Sequence, residues 1–178
     1  MKLQGSKTEI NVLKTFAGES RASVAYMLFA EKARKEGYEY IASIFESTGR
    51  NELAHARETF EALKLIRTTS ENLKYAIEGE KEESESIYVK YAKEAKEEGF
   101  EELENLFSEL AETEEHHEKR FKAIKELLDS GRLFKNQTSI KWQCMNCGYI
   151  HVGKEAPRRC PLCGLPQGYF KRYSEDFK

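Results

Sequence analysis

The sequence predicts a mainly α protein: a four-helix bundle followed by a small four-cysteine module of short strands and turns. Three observations predict it. All three prolines (Pro157, Pro161, Pro166) fall in the last quarter of the 178 residues, so nothing before Gly131 forbids continuous helix. Apolar residues recur at helical spacing in the first part, as Val12, Phe16, Val24, Met27 and Leu28 do. The four cysteines stand as two close pairs near the C-terminus.

Ser6 and Glu9 are spaced for a capping box that opens the first helix, and Gly37 offers its stop. A second helix is expected from Glu39 to Ile66, broken by Thr68 to Ser70. A third should run from Glu71 to Gly99 and a fourth from Glu101 to Ser130. Residues 131–139 read as a polar linker. From Ile140 the composition turns to glycine, proline, cysteine and aromatics, as short strands and turns require. The expected domains are a bundle over residues 1–134 and a module over residues 140–178.

Net charge is -2 with 34% charged residues, which argues against the basic excess of a nucleic-acid-binding protein. No apolar run approaches the length of a bilayer span, and no export-signal pattern opens the chain. A cytoplasmic protein without membrane or nucleic-acid partners is expected. In that setting paired cysteines read as metal ligands rather than disulfides.

The first part also repeats itself at an offset of 62. Tyr26, Ala30, Ala33, Glu36, Gly37 and Tyr38 fall over Tyr88, Ala92, Ala95, Glu98, Gly99 and Phe100. Ile44, Phe45, Glu52 and His55 fall over Leu106, Phe107, Glu114 and His117. Helical period alone would not align a turn glycine, a tyrosine and a Glu-His pair in one register, so two hairpins are read as copies of one another.

Glu52-Leu-Ala-His55 and Glu114-Glu-His-His117 are both Glu-x-x-His, which puts carboxylate and imidazole on one helical face. With glutamate so abundant, one such pair is a modest signal; two at equivalent repeat positions are a stronger one. Carboxylate with imidazole suits iron or manganese and leaves positions open for oxygen chemistry. Glu19 and Glu80 are the candidates from the first helix of each hairpin, and Glu83 lies one turn beyond Glu80. Such a set matches the di-metal carboxylate site of ferritin-like bundles. His116 faces away from His117 and is expected at the surface, and His151 in a loop of the cysteine module.

Cys144-Met-Asn-Cys147 and Cys160-Pro-Leu-Cys163 are two knuckles separated by twelve residues, with Gly148 and Gly164 supplying backbone freedom after each. A single ion held by four thiolates is expected, and spacing alone leaves zinc and iron open.

The runs around Glu19, Glu52–His55, Glu80–Glu83 and Glu114–Phe121 resemble the four ligand stretches of the rubrerythrin family. Cys-x-x-Cys-Gly-Tyr149, Cys-Pro161-x-Cys-Gly164 and the aromatics Trp142, Tyr149 and Phe170 resemble rubredoxin, which favours iron over zinc in the module. The resemblance covers essentially the whole chain. It implies two non-haem irons bridged by Glu52 and Glu114, with Glu19 and Glu80 as terminal carboxylates. His117 would be a constant ligand, while His55 and Glu83 would alternate as ligands to the other iron. Tyr26 and Tyr88 match family tyrosines that hydrogen-bond ligand carboxylates.

What the resemblance implies is a peroxidase that reduces hydrogen peroxide to water in oxidative-stress defence. Its electrons would come from rubredoxin or a NAD(P)H-dependent reductase through the four-cysteine iron. No Gly-x-Gly-x-x-Gly run is present to bind a nicotinamide here. A ferroxidase related to ferritin would explain the helices but leave the module idle. A zinc-ribbon interaction protein with a structural bundle would leave the repeated Glu-x-x-His unexplained.

Ferritin-like bundles run their second and third helices the same way. A helix of about 25 residues is roughly 38 Å long, while five residues around Arg67 to Ser70 reach at most about 18 Å. The expectation is a domain-swapped homodimer, with Glu19, Glu52 and His55 from one chain and Glu80, Glu83, Glu114 and His117 from the other. This departs from the longer crossover usual in the family.

Overall fold

The computed structural model describes residues 2–174. The chain is mostly helical with a small cysteine-rich strand region at its C-terminal end, and it divides into two units, Met1–Thr68 and Thr69–Lys178. The last four residues of the expected module, 175–178, lie outside the described residues.

The first unit is a helical hairpin of α1 (Lys7–Lys35) and α2 (Glu39–Ala62). The Ser6 hydroxyl accepts from the Glu9 amide at 3.1 Å, while the Glu9 carboxylate accepts from the Gly5 amide at 2.6 Å. The helix start is thus capped as the sequence predicts, with the return bond one residue early. At Gly37 the backbone turns left-handed, and the Tyr38 amide reaches back to the Ala33 carbonyl at 2.9 Å. The two helices approach closely at Gly49, where an added Cβ would stand 3.2 Å from the Ser23 carbonyl oxygen. The buried Ser23 hydroxyl donates to the Gly49 carbonyl at 2.8 Å across that contact.

The expected end of α2 at Ile66 is corrected: the helix stops at Ala62. Lys64 adopts the left-handed conformation (φ 55°) and the Leu65 amide bonds the Phe60 carbonyl at 3.3 Å. This is the same closing turn made at Gly37, but with a lysine in the position glycine usually holds, so the stop carries no glycine signal.

The second unit opens with a hairpin. Its first arm is α3 (Thr69–Glu82), a π turn (Glu83–Ile87) and α4 (Tyr88–Glu98); its second arm is α5 (Glu101–Asp129). The single third helix expected is therefore interrupted. At its open end the Ser70 hydroxyl donates to Asp129 at 2.7 Å, and Lys125 pairs with the same carboxylate. Gly131 closes α5 in the left-handed manner, with the Arg132 amide on the Leu127 carbonyl at 2.8 Å.

The module follows. β1 (Lys135–Cys144) begins inside the stretch read as linker and pairs antiparallel with both β2 (Ile150–Glu155) and β3 (Phe170–Arg172), giving the order β2-β1-β3. Its core is Trp142, Cys144, Ala156, Cys160 and Phe170, all buried. The Trp142 indole N–H is satisfied by the Gly153 carbonyl at 2.9 Å. His151 lies on β2 opposite Trp142 rather than in a loop.

Candidate metal centres

Each hairpin gathers its own cluster of carboxylates and imidazole. Glu19 on α1 meets Glu52 and His55 on α2, and Glu80 on α3 meets Glu114 and His117 on α5; in each group the ligand atoms lie within 4.8 Å of one another. The helical spacing of three residues does what the sequence predicts: His55 Nδ1 is 2.8 Å from Glu52 and His117 Nδ1 is 2.6 Å from Glu114. The glutamates of the opposing helices stand further off, 4.0 Å for Glu19 and 3.7 Å for Glu80.

The two clusters are not equally enclosed. The His55 side chain is 60% exposed and that of His117 36%. Burial pushes the Glu80 carboxyl above its usual range, and the neighbouring Glu114 and Glu83 add to it. The Tyr88 phenol is likewise held above its ordinary value, first by burial and then by the fields of Glu83, Glu114 and Glu80. Tyr88 therefore stands beside the second cluster, stacked on Phe107 at 6.3 Å. Tyr26 packs on Phe45 at 6.1 Å, the equivalent pair of the first hairpin. Glu83 is half-buried, close enough to Glu80 and Tyr88 to act on both, though outside the tight group of three. His116 is exposed, as expected.

The π turn is the feature that sequence reasoning missed, although a signal for it exists. Gly18, Glu19 and Ser23 match Gly79, Glu80 and Ser84 at an offset of 61, whereas Tyr26 onward matches at 62. One residue has been added between Ser84 and Tyr88, and the helix absorbs it as the π turn over Glu83–Ile87. The tyrosine thus keeps its place relative to the ligands. In this alignment Glu83 stands where the first hairpin has Ala22. Each carboxylate–imidazole set suits iron or manganese better than a soft-metal site would.

In the module the four sulfurs converge. Cys144 Sγ is 3.7 Å from Cys163 Sγ, and Cys147 Sγ is 3.5 Å from Cys160 Sγ. A tetrahedron of thiolates bound at about 2.3 Å has edges of roughly 3.8 Å, so one ion fits with little movement. The knuckles are built alike. Gly148 and Gly164 are left-handed, and their amides close on the Cys144 and Cys160 carbonyls at 2.9 and 2.8 Å. The Leu165 amide bonds the Cys163 sulfur and, with the Cys147, Asn146 and Cys160 side chains, outweighs burial to lower its pKa to about 6. The Tyr149 amide favours the Cys147 thiolate too, but burial and the three neighbouring sulfurs push that thiol up to about 12. A bound cation relieves that crowding and lets all four ionise.

Comparison with known proteins agrees with both centres. A family model described as rubrerythrin matches residues 11–125, and one described as its rubredoxin-like domain matches residues 142–171. Rubrerythrin of Porphyromonas gingivalis is 41% identical, the match covering 95% of this chain and 91% of that protein. Rubrerythrin of Clostridium perfringens is 38% identical over 98% of each chain. That of Nitratidesulfovibrio vulgaris is 38% identical over 95% of each.

Proposed function

This chain belongs to the rubrerythrin family, and from that premise we propose that it is a non-haem diiron peroxidase reducing hydrogen peroxide to water. The observation that carries the reading is the pairing in one chain of carboxylate–histidine clusters with a tetrathiolate site. The first suits a two-electron reaction and the second a one-electron relay. Two bundle irons, when bound, supply the two electrons that cleave the O–O bond, so that hydrogen peroxide, two electrons and two protons become two waters.

The residues divide the remaining work. Glu52 and Glu114 would be the carboxylates shared by the metal pair, with Glu19 and Glu80 as further carboxylate ligands. His117 would be the constant imidazole ligand, and His55 and Glu83 would be the alternative ligands whose use changes with redox state. Tyr26 and Tyr88 orient ligand carboxylates. The Tyr88 phenol, protonated at neutral pH as tyrosines ordinarily are, can donate a hydrogen bond there. Cys144, Cys147, Cys160 and Cys163 would hold a third iron, which would supply one-electron transfer. Rubredoxin or a NAD(P)H-dependent reductase would deliver the electrons, in cytoplasmic defence against oxidative stress. No helix among the described residues is long and apolar enough to cross a membrane.

The test is metal content and visible absorption of protein purified without air, reduced, then given peroxide. About three irons per chain, with the thiolate–iron colour returning as peroxide is consumed, is the expected result. Zinc in the module and no peroxide consumption would overturn it. Turnover with dioxygen and ferrous ion, but not with peroxide, would turn the reading to a ferroxidase.

A further inference from the structure

Where α5 gives way to the sheet, the second unit holds a cleft of about 520 Å³. Its walls come from three places: Arg132 from the turn that closes α5, Lys135 and the residues after it from β1, and Arg172 from β3. Three cations, two side-chain amides and a hydroxyl line it, and among the described residues no carboxylate does. None of these residues belongs to the three candidate metal clusters.

The strand pairing makes the cleft. Between the Lys135–Glu155 and Ile140–Gly153 pairs β1 advances five residues while β2 advances two, so β1 bulges outward. Asn136 Nδ2 donates to the carbonyl and hydroxyl oxygens of Thr138, both at 3.1 Å, which pins the bulge. A bulge re-aims side chains, and here Gln137 and Thr138 are exposed in the cleft.

Arg172 is its centre. Its Nη2 donates to the carbonyls of Lys135 at 3.2 Å and Arg132 at 3.5 Å, and its guanidinium lies 5.8 Å from the centre of the Trp142 ring. Those partners orient the fork but leave its charge unanswered. Arg132 is answered by Glu126 at 2.6 Å, and Lys135 only by Glu155 at 3.9 Å, both acids outside the lining. From the start of β1 to the end of β3 the chain carries seven Lys or Arg and one Glu, so the surrounding potential is positive too.

Such a donor set selects an anion, and its spread selects the kind. A carboxylate brings one charge and two oxygens, which a single guanidinium can satisfy. A phosphate group brings nearly two charges and three terminal oxygens, enough for cations on three sides. A second cavity, of about 340 Å³, shares Leu127 and Arg172 with the cleft and is walled mainly by Ile124, Leu133, Phe134 and Phe170. It offers room for an apolar body attached to the phosphate.

We propose that this cleft binds a phosphate group, clamped by Arg172, Arg132 and Lys135 and hydrogen-bonded by Gln137 and Thr138. Because the clamp draws on the turn after α5, on β1 and on β3, a bound phosphate fastens the module to the end of that helix.

Calorimetric titration of the full, iron-loaded chain with sodium phosphate tests this, at pH 8 and constant ionic strength, with chloride as the control. Wild type should saturate. Arg172→Gln should weaken that binding at least about tenfold and Lys135→Gln about threefold, each losing charge-assisted hydrogen bonds. Arg172 also braces two carbonyls; if Arg172→Gln fails to fold, Lys135→Gln, at a side chain 61% exposed, still decides the matter. Hydrogen exchange locates the site: phosphate should slow residues 131–138 and leave β2 unchanged. No saturable binding would overturn the proposal. So would binding that neither substitution weakens, as expected of phosphate held by bundle iron instead. Phenyl phosphate separates the two sources of the group. Tighter binding than inorganic phosphate, lost in Ile124→Ser, would identify an organic phosphate whose body fills the second cavity, and equal binding would identify free phosphate.

Discussion

The two hairpins share one plan and differ where chemistry would need them to differ. Both set Glu-x-x-His on their second arm and a glutamate on their first, within 4.8 Å. The first hairpin runs α1 without interruption, places Ala22 beside its glutamate and leaves His55 largely open. The second adds one residue, takes it up as a π turn, places Glu83 there and encloses His117 more fully. The extra residue of the second hairpin thus makes the two clusters unequal. On the proposed function, Glu83 would be the added ligand of one and His55 the exchangeable ligand of the other.

The largest expected effect tests the enclosure. Glu114 is less exposed than Glu19, Glu52 or Glu80, and Glu114→Ala should abolish bundle iron binding outright. Losing even a residue that supports a ligand typically costs 10–100-fold in metal affinity, so losing the ligand should cost at least about 100-fold. Glu52→Ala should cost less, because its side chain is the more exposed, 19% against 13% for Glu114. Iron per chain, measured after equilibration at several free iron concentrations, ranks the two. Equal losses would break the comparison.

Next in size is the π turn itself. Deleting Glu85, exposed and paired only to Lys81 one turn earlier, would restore the offset of 61 throughout and leave a regular helix. Tyr88 should keep its place relative to Glu80, as Tyr26 does to Glu19, while Glu83 is re-aimed. A displacement of about 1 Å can cost on the order of 100-fold in rate; turnover with peroxide should fall by roughly that much while the thiolate–iron spectrum stays unchanged. Glu83→Ala should reproduce most of this loss with near-normal iron content. An intact rate in both variants would reduce the asymmetry to ornament.

Much of this was legible in the sequence. The Glu-x-x-His pairs, the glycines at the two hairpin tips and the cysteine knuckles each bring a residue type whose chemistry or backbone freedom does one job, so they stand out in a single chain. Three features did not stand out, each for a physical reason. Lys64 takes a left-handed position without being glycine, so α2 was expected four residues too long. β1 starts in Lys-Asn-Gln-Thr-Ser, whose side chains are mostly exposed and show no apolar alternation. An inserted helical residue shifts the apolar pattern by only 100°, which the eye absorbs; only the slip from 61 to 62 between the hairpins reveals it.

The smallest effect concerns the open ends of the hairpins. In the second, Ser70 and Lys125 converge on Asp129 and hold its carboxyl below its usual range, Lys125 contributing first and Ser70 next. At the offset of 62 the first hairpin has Leu63 in place of Lys125 and Arg67 in place of Asp129. A carboxyl whose pKa is depressed by folding adds stability that is fully present above its unfolded value, near 3.9, and lost as pH falls through the folded value. Asp129 is exposed, so the contribution is small. Asp129→Asn should therefore lower the melting temperature slightly at pH 7 and not at all near pH 2. The measurement is hydrogen exchange at the first turn of α3 and the last of α5, read separately from α1 and α2. At pH 7 the variant should open the second hairpin's end, where Ser70 joins Asp129 and Lys125 across the two arms.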